Sequence, residues 1–578
     1  MKIYDNSNIA ESYSGVTTPL TYSFARAVYQ EVYVHFCGMM GVSGGVVSRN
    51  RAMFAKMVEF IGGRMYYDLI NWYKLVSFLP GYSFNRAFFE KMLGLQKEYH
   101  YTPPAPRGAL LRYGVFLPRL LFQTLKITVS FIFMGPLVRR FNRRFDREYA
   151  RLSALDLGGM SATACRDLYY RVYNEFVARW QVPIANDFAV MVSAGAADKL
   201  YRSWLGGENG YVQLFARSRR PLVSLDPGYQ IIKIVALLEK DLRLLELFAP
   251  ANAPALILRE LRGPLAQAAA AREINSYLEK FGSRAPNELK LESRTINEQP
   301  EFFISILQGA LAAGGAAGAG AQGRDAAPGG EASALSAPRR LLLAAVSRWA
   351  VNSVYLREET RFRRSLIFGF TRKLFLALGE KLRAKGFIGE TGSVFYLTIE
   401  EVFALIDADS APEGLARAIA RRKTEYAYWK DRELPRRIES ELPVSGIEAE
   451  LRGRGAAAQQ APGGTLKGVT AARTRQEKVS GTALVLADFD PAADFTGKIL
   501  VTRQTDPGWT IVFPLLKGLI VERGGMLSHA AIVARELRIP CIVGAEGAVA
   551  GVAQGALVEM RMNSGEVHVL PVPAAGLS

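Results

Sequence analysis

The sequence predicts an α+β multidomain protein, with a large, mainly helical N-terminal body over residues 1–450 followed by a compact β/β/α domain over 466–578. Three observations predict this. The chain has 578 residues, more than one hydrophobic core organises. Apolar residues recur at three- and four-residue spacing through most of the first 450 positions. From about residue 466 the pattern changes to short apolar runs separated by glycine-rich turns, the signature of strands.

In the body, Thr17-Thr18-Pro19 is a helix start, and Tyr22 to Met40 continues with helical spacing. The same spacing predicts helices over Met53–Phe78, Arg151–Arg179, Ile231–Phe248, Ala268–Phe281, Leu341–Ala384 and Ala408–Arg422. Two stretches break it. Residues 312–338 are rich in glycine and alanine, a composition that predicts a disordered insertion. Residues 451–465 have a similar composition and are expected to form a flexible hinge linker.

In the C-terminal domain, strands are expected over Thr482–Leu486, Lys498–Thr502, Gly518–Val521, Cys541–Val543, Ala556–Met560 and Glu566–Val569. Helices are expected over Trp509–Leu516 and Ala530–Leu537. Asp506-Pro507-Gly508 reads as a turn, with Trp509 after it as a packing anchor.

The chain contains only His35, His100, His529 and His568 as histidines. His529 sits between a glycine turn, Gly524-Gly525, and a short helix that runs into Arg538-Ile539-Pro540 and the next strand. That places an imidazole at a helix N-terminus, where unpaired N–H groups and the helix dipole favour negative charge. A phosphoryl group on its ring would be held there by Ser528 and neighbouring N–H groups. Gly525 would leave the line of approach open. A histidine nucleophile divides one difficult transfer into two easier ones. For Arg535, phosphate contact and an ordinary solvated helix arginine are both open readings. Thr505 and Asp506 are open between turn structure and proximity to the histidine loop.

From Val479 to Leu570 the chain resembles the phosphohistidine swivelling domain of the PEP-utilising enzymes. The resemblance rests on Gly481-Thr482-Ala483, Gly497 to Val501, Thr505 to Trp509, Glu522 and all of Gly524 to Gly544. It implies that His529 is phosphorylated. Leu527 departs from the threonine found in many members. Further strings resemble the rifampicin phosphotransferase-like branch. They are Asn8 to Glu11, Gly15 to Thr21, Phe281 to Leu289, Arg357 to Phe362 and Val394 to Glu401. Ser283 stands where many relatives have histidine. Around it, Arg284, Glu288, Arg294 and Glu298 read either as a salt-bridged helix-to-loop corner or as the lining of a substrate pocket. In the second reading arginine would steady phosphoryl oxygens, and Glu288 or Glu298 would accept a proton if burial raised its pKa.

The sequence has no Gly-rich phosphate loop, and no ATP-grasp or phosphoenolpyruvate-barrel segment is expected. The resemblance therefore implies that ATP and Mg²⁺ are bound by a separate ATP-grasp protein, and that this chain binds no cofactor or metal of its own. The division resembles synthases of the phenylphosphate synthase type, spread over separate chains. The expected acceptor is a hydroxyl-bearing small molecule, with aromatic compounds suggested by Phe24, Tyr66, Tyr67, Trp72, Tyr73, Phe88 and Phe89, residues that suit a core equally well. Pyruvate as acceptor, or a non-catalytic scaffold, are the alternatives.

Three cysteines and no apolar leader at the N-terminus lead to the expectation of a cytoplasmic protein without disulfides. The net charge of +18 is concentrated near the middle of the N-terminal half: nine basic residues face two acidic ones between Arg107 and Glu148. No nucleic-acid-binding motif accompanies them. The adjoining apolar run, Ile127 to Met134, is too short to span a bilayer. A buried helix flanked by solvated arginines is the leading expectation. Peripheral membrane contact and a docking surface for an acidic partner are the alternatives.

Overall fold

The computed structural model describes residues 1–80, 82, 117–205, 223–312, 335–430, 432–453, 465–472, 476–525 and 528–570. Phe88 and Phe89, Leu527, nearly all of the expected 312–338 insertion and most of the 451–465 linker lie outside these residues. The chain divides into two compact units. The first comprises Met1–Arg220, Leu289–Glu292 and Ala326–Ala456, and the second Pro221–Glu288, Ser293–Asp325 and Ala457–Ser578.

The first unit is mainly helical. Its main long helices are Pro19–Met39, Gln181–Leu205 and Ala337–Ala384, the last 48 residues long. Phe24, Trp72, Tyr73, Phe375 and Leu378 belong to its principal core. The expected Met53–Phe78 helix is not continuous. Its middle forms β2 (Val58–Ile61) and β3 (Arg64–Asp68), which join β1 (Lys2–Asp5) and β4 (Arg437–Ser440) in an antiparallel sheet of order β2-β3-β1-β4. The reason is Gly62-Gly63. Their φ angles of 55° and 68° make a two-residue hairpin turn between the paired Ile61 and Arg64. Asp68 then caps the following Leu69–Ser77 helix, its carboxylate accepting from Asn71 N.

The Gly15-to-Thr21 string has a definite structural task in this unit. Thr18 and Thr21 hydroxyls donate to the Glu292 carboxylate at 2.9 and 2.6 Å, and the Thr21 oxygen accepts from Leu291 N at 2.8 Å. Lys290 Nζ reaches Val16 O at 3.0 Å, and Arg372 donates to Leu291 O at 2.6 Å while stacking on Phe395. Glu292, which the sequence does not single out, is thus the polar centre that fixes this motif.

In the second unit the eight strands run in the order β5-β12-β11-β7-β8-β9-β10-β6. They are β5 (Thr465–Lys467), β6 (Val469–Ala472), β7 (Lys478–Leu486), β8 (Ile499–Thr502), β9 (Gly518–Val521), β10 (Cys541–Val543), β11 (Leu557–Arg561) and β12 (Glu566–Leu570). Strands β7 to β10 are mutually parallel, and their near-continuous apolar sequences match burial on both faces. The edge strands β5 and β6 are consecutive in the chain and meet at Gly468, whose N–H donates to Gly565 O at 2.9 Å. The sheet therefore curls round its core of Val501, Ile520, Ile542, Val558, Met560 and Val567.

The expected Trp509–Leu516 helix is two short 3₁₀ turns instead, Pro507–Ile511 and Phe513–Leu515. Pro507 and Pro514 lack the N–H that a continuous ladder needs. Helices Asp226–Leu238, Ala269–Phe281 and Pro300–Ala312 belong to the same unit as the sheet.

All three cysteines are buried thiols. Burial pushes Cys37 and Cys541 up to about 12 and raises Cys165. A thiol with a raised pKa stays protonated at pH 8 and is a poor nucleophile. The folded chain is expected to leave all three unlabelled by an aromatic disulfide reagent at pH 8, and the denaturant-unfolded chain to label all three. Rapid labelling of the folded chain would contradict this packing.

Candidate functional site

His529 is the first residue of the His529–Glu536 helix, whose N-cap is Ser528. The Ser528 hydroxyl accepts from Ala531 N at 3.4 Å, and Ser528 N donates to Gly525 O at 2.9 Å. The helix is buried along Ala530 to Ala534, so it is held by packing and not by propensity alone. Gly525 is exposed, and the space a side chain would take there is open.

The imidazole itself is buried, 7% exposed, and lies near Phe513. Both ring nitrogens have hydroxyl neighbours. Nδ1 is 3.3 Å from Thr505 Oγ1, and Nε2 is 3.3 Å from Thr510 Oγ1. Thr510 also donates to Pro507 O at 2.8 Å. A hydroxyl has one proton, and the shorter bond takes it. The network therefore assigns the ring proton to Nε2, which donates to Thr510, and leaves Nδ1 accepting from Thr505. A ring so engaged is positioned but guarded, and attack by either nitrogen requires one threonine to give way. Thr505, open in the sequence between turn and site, is a direct neighbour of the histidine. Asp506 has the turn role, its carboxylate accepting from Gly508 N at 2.7 Å. Thr510 has no motif spacing to announce it. Its position follows from the 3₁₀ geometry after Pro507.

One hydrogen bond of Arg535 runs to the sheet. Its Nε donates to Ala471 O on β6 at 3.3 Å. Glu522 is buried at the end of β9 and accepts from Val549 N at 2.8 Å.

The Phe281-to-Leu289 string forms a corner in the second unit. Arg284 and Glu288 meet there as a buried ion pair, with Arg284 Nε donating to Glu288 Oε1 at 2.5 Å and both side chains 5% exposed. Arg294 and Glu298 are not part of that pair. Both are exposed, and Glu298 closes a capping box with Thr295, accepting from its N and Oγ1 at 2.8 Å. Ser283 is half-buried.

Arg284 lines a narrow cleft with Tyr277, Phe281, Phe302, Pro507 and Gly508. Its free space holds about one water molecule. Gly508 sits against the corner so closely that a Cβ would lie 2.2 Å from Ala285 O and 2.6 Å from Pro286 O. The turn whose residues flank His529 is therefore packed directly on the loop that carries Arg284.

In the first unit, Phe24, Tyr66 and Tyr73 are core residues. Tyr67 and Trp72 are buried core residues as well, and the half-buried Tyr29 and Tyr33 pack against that core. Tyr29 and Tyr67 hydroxyls are 3.2 Å apart, and Trp72 lies 4.7 and 4.8 Å from the Tyr67 and Tyr33 rings. Burial raises the Tyr33 and Tyr67 phenols well above their ordinary value.

Two substitutions probe this geometry. Thr510→Val removes the acceptor for Nε2–H and strands Pro507 O, a loss of about 1–3 kcal/mol in stability. Its imidazole should show an altered nitrogen-15 signature, because Nε2 has lost its hydroxyl neighbour. Gly508→Ala should destabilise by about 1–3 kcal/mol through overpacking against Ala285 and Pro286. Thermal unfolding measures both, and an unchanged midpoint for Gly508→Ala would mean that the turn and the corner are not in contact.

Residues 495–565 match the family described as PEP-utilising enzyme, mobile domain, and residues 184–358 match the rifampicin phosphotransferase fourth domain. An uncharacterised protein of Mycobacterium tuberculosis is 29% identical over 50% of this chain and 30% of its own length. Rifampicin phosphotransferase of Bacillus subtilis is 28% identical over 37% of this chain and 24% of its own. That of a Streptomyces species is 26% identical over 51% and 34%. The chain thus spans between 24% and 34% of the length of these relatives. Membership of a family of phosphotransferases supports an enzymatic role. With the mobile-domain match lying across β8 to β10 and the guarded histidine, these findings support a PEP-utilising, rifampicin phosphotransferase-like family assignment with a C-terminal mobile phosphohistidine domain.

Proposed function

We propose that this chain carries a phosphoryl group on His529, receiving it from ATP through a separate ATP-grasp protein that binds ATP and Mg²⁺, and passing it to a hydroxyl-bearing small molecule. The observation that carries the proposal is the buried His529 ring at a helix N-terminus, bracketed by the Thr505 and Thr510 hydroxyls. Rotation of one threonine releases a ring nitrogen as nucleophile. The Ser528 hydroxyl and the first N–H groups of the helix then face the transferred oxygens. Gly525 keeps the approach clear.

In the second half-reaction the acceptor would lie at the Arg284 corner, with Arg284 and Glu288 as substrate-binding residues and Arg294 and Glu298 at its exposed rim. Support comes from the direct packing of the Pro507-Gly508 turn on that corner. An aromatic hydroxyl compound is the preferred acceptor, with pyruvate as the alternative. The 451–465 segment would serve as the hinge. Its first residues are anchored in the first unit, where Leu451 is buried and Arg452 stacks on Tyr428 and Trp429 at about 5 Å.

With ATP, Mg²⁺ and a candidate ATP-grasp partner, the chain should acquire one acid-labile, base-stable phosphate. His529→Ala should lose it, while His568→Ala should keep it. Label that persists in His529→Ala would end the proposal.

The acceptor half is tested separately. Arg284→Ala alone would leave Glu288 buried without its ion-pair partner and cost about 3–5 kcal/mol in stability, which confounds rates. The double variant Arg284→Met/Glu288→Leu removes the pair without an orphaned charge. It should still accept phosphate on His529 but discharge it to a phenol about 30- to 1000-fold more slowly, the loss expected for one charged contact to a developing anion. Equal discharge by pyruvate and phenols would remove the aromatic reading. Discharge at the native rate would return the pair to a purely structural role.

A further inference from the structure

The Leu117–Ile132 helix of the first unit turns Gln123 and Lys126 toward the protein, while Thr124 and Thr128 are exposed. Gln123 is buried, and its Nε2 donates to Gly41 O at 3.2 Å and Phe78 O at 3.5 Å. Lys126 Nζ donates to Gly38 O at 2.9 Å. Ile127 and Phe131 share this inner face, Phe131 lying against Trp349. The outer face and the bend after it carry Leu121, Phe122, Leu125, Val129, Ile132 and Phe133, between 44% and 69% exposed. A helix on the surface of a protein in water ordinarily has the opposite arrangement. The expectation of a buried apolar helix over Ile127 to Met134 is thus overturned, because the carbonyl oxygens at the end of the Pro19–Met39 helix claim Gln123 and Lys126 and turn the apolar stripe outward.

The charge around that stripe has one sign. From Leu117 to Phe145 the sequence has six basic residues and no acidic one. The next helix, Met134–Ser153, departs at a 65° bend and exposes Arg139, Arg140, Arg143 and Arg147. None of these has a carboxylate partner among the described residues. Among these residues no single helix is long and apolar enough to cross a membrane. Contiguous apolar side chains of this extent mark an interaction site. An apolar face bearing phenylalanine and leucine, beside an exclusively basic flank, is the composition of a helix lying in a lipid interface.

We propose that the Leu117–Ile132 helix seats its outer face in the surface of an anionic lipid bilayer, with Arg139, Arg140, Arg143 and Arg147 meeting the headgroups. The apolar stripe would enter the acyl boundary while Gln123 and Lys126 keep the helix fastened to the protein. A surface held this way would keep the phosphoryl carrier beside membrane-partitioned, sparingly soluble hydroxyl compounds, but the proposal does not depend on the acceptor's identity.

The test is flotation of the full-length chain with extruded vesicles, phosphatidylcholine alone against phosphatidylcholine mixed with phosphatidylglycerol. The chain should float with the anionic vesicles, and the bound fraction should fall with added salt. Leu125→Glu/Ile132→Glu should weaken binding by about tenfold or more, since it places charge in the apolar stripe. Arg139→Glu/Arg140→Glu should do the same while leaving that stripe intact. Circular dichroism and the unfolding midpoint verify that each variant is folded, and the arginine variant decides the matter if the other fails to fold. Absence of flotation with anionic vesicles, or equal flotation with neutral ones, overturns the proposal. So does a solution dimer that Leu125→Glu/Ile132→Glu disperses, which would make a second copy of the chain the occupant.

Discussion

The turn Asp506-Pro507-Gly508 is the constraint on which the candidate site depends. Asp506 fixes it from within by accepting Gly508 N–H. The Pro507 carbonyl takes the Thr510 proton, and that bond decides which way the Thr510 oxygen faces His529. Gly508 allows the backbone of Ala285 and Pro286 to approach to a distance no side chain permits. The same turn therefore sets the histidine's tautomer on one side and docks the Arg284 corner on the other. A shift in that docking has a direct mechanical route to the ring, through the turn and the Thr510 hydroxyl.

The corner is stiff for its own reasons. Arg284 and Glu288 are both almost wholly removed from water, and each charge offsets part of the cost of burying the other. Backbone bonds close the corner further, with Ile296 N donating to Arg284 O at 3.0 Å and Asn297 N to Gly282 O at 2.8 Å. Such a pair contributes little to net stability compared with an apolar pair of equal volume. Its consequence is geometric, because the pairing holds both side chains in place. A fixed guanidinium is also what a phosphoryl acceptor site requires, since reorganisation at the moment of transfer would cost rate.

Much of this architecture is legible in the sequence. The parallel strands announce themselves as apolar runs because both faces are buried, and β9 and β10 fall within the expected limits. His529 is legible because a glycine turn, an N-cap serine and good helix formers follow one another locally. What is not legible depends on partners distant in the chain. β5 and β6 are too short to show a period and exist because β12 and β10 offer edges. The β2–β3 hairpin is masked by flanking apolar residues that fit a helix equally well, and only Gly62-Gly63 marks it. Arg284 and Glu288 are visible as a charged cluster, but their spacing alone does not separate them from Arg294 and Glu298, which burial does. Thr510 and Glu292 are ordinary residues in sequence and acquire their roles from the fold.

The placement of His529 follows from the sheet. The first pairings beyond the carboxyl ends of β8 and β9 continue in the backbone, with Glu522 N donating to Thr502 O at 3.0 Å and Arg523 N to Arg503 O at 2.9 Å. The two loops therefore leave the sheet side by side. One leads through Thr505 to the Pro507 turn, and the other through Gly524-Gly525 to the histidine helix. Residues 24 apart in the chain are thus brought to a 3.3 Å contact between Thr505 and His529 without any motif linking them. Parallel sheets open a crevice at their carboxyl ends wherever neighbouring loops diverge, and the helix that follows aims its N-terminal N–H groups into it. Here the loops are held together near the sheet and separate only at the histidine. His529, the proposed phosphoryl carrier, stands at the point where strand pairing ends and the helix dipole begins.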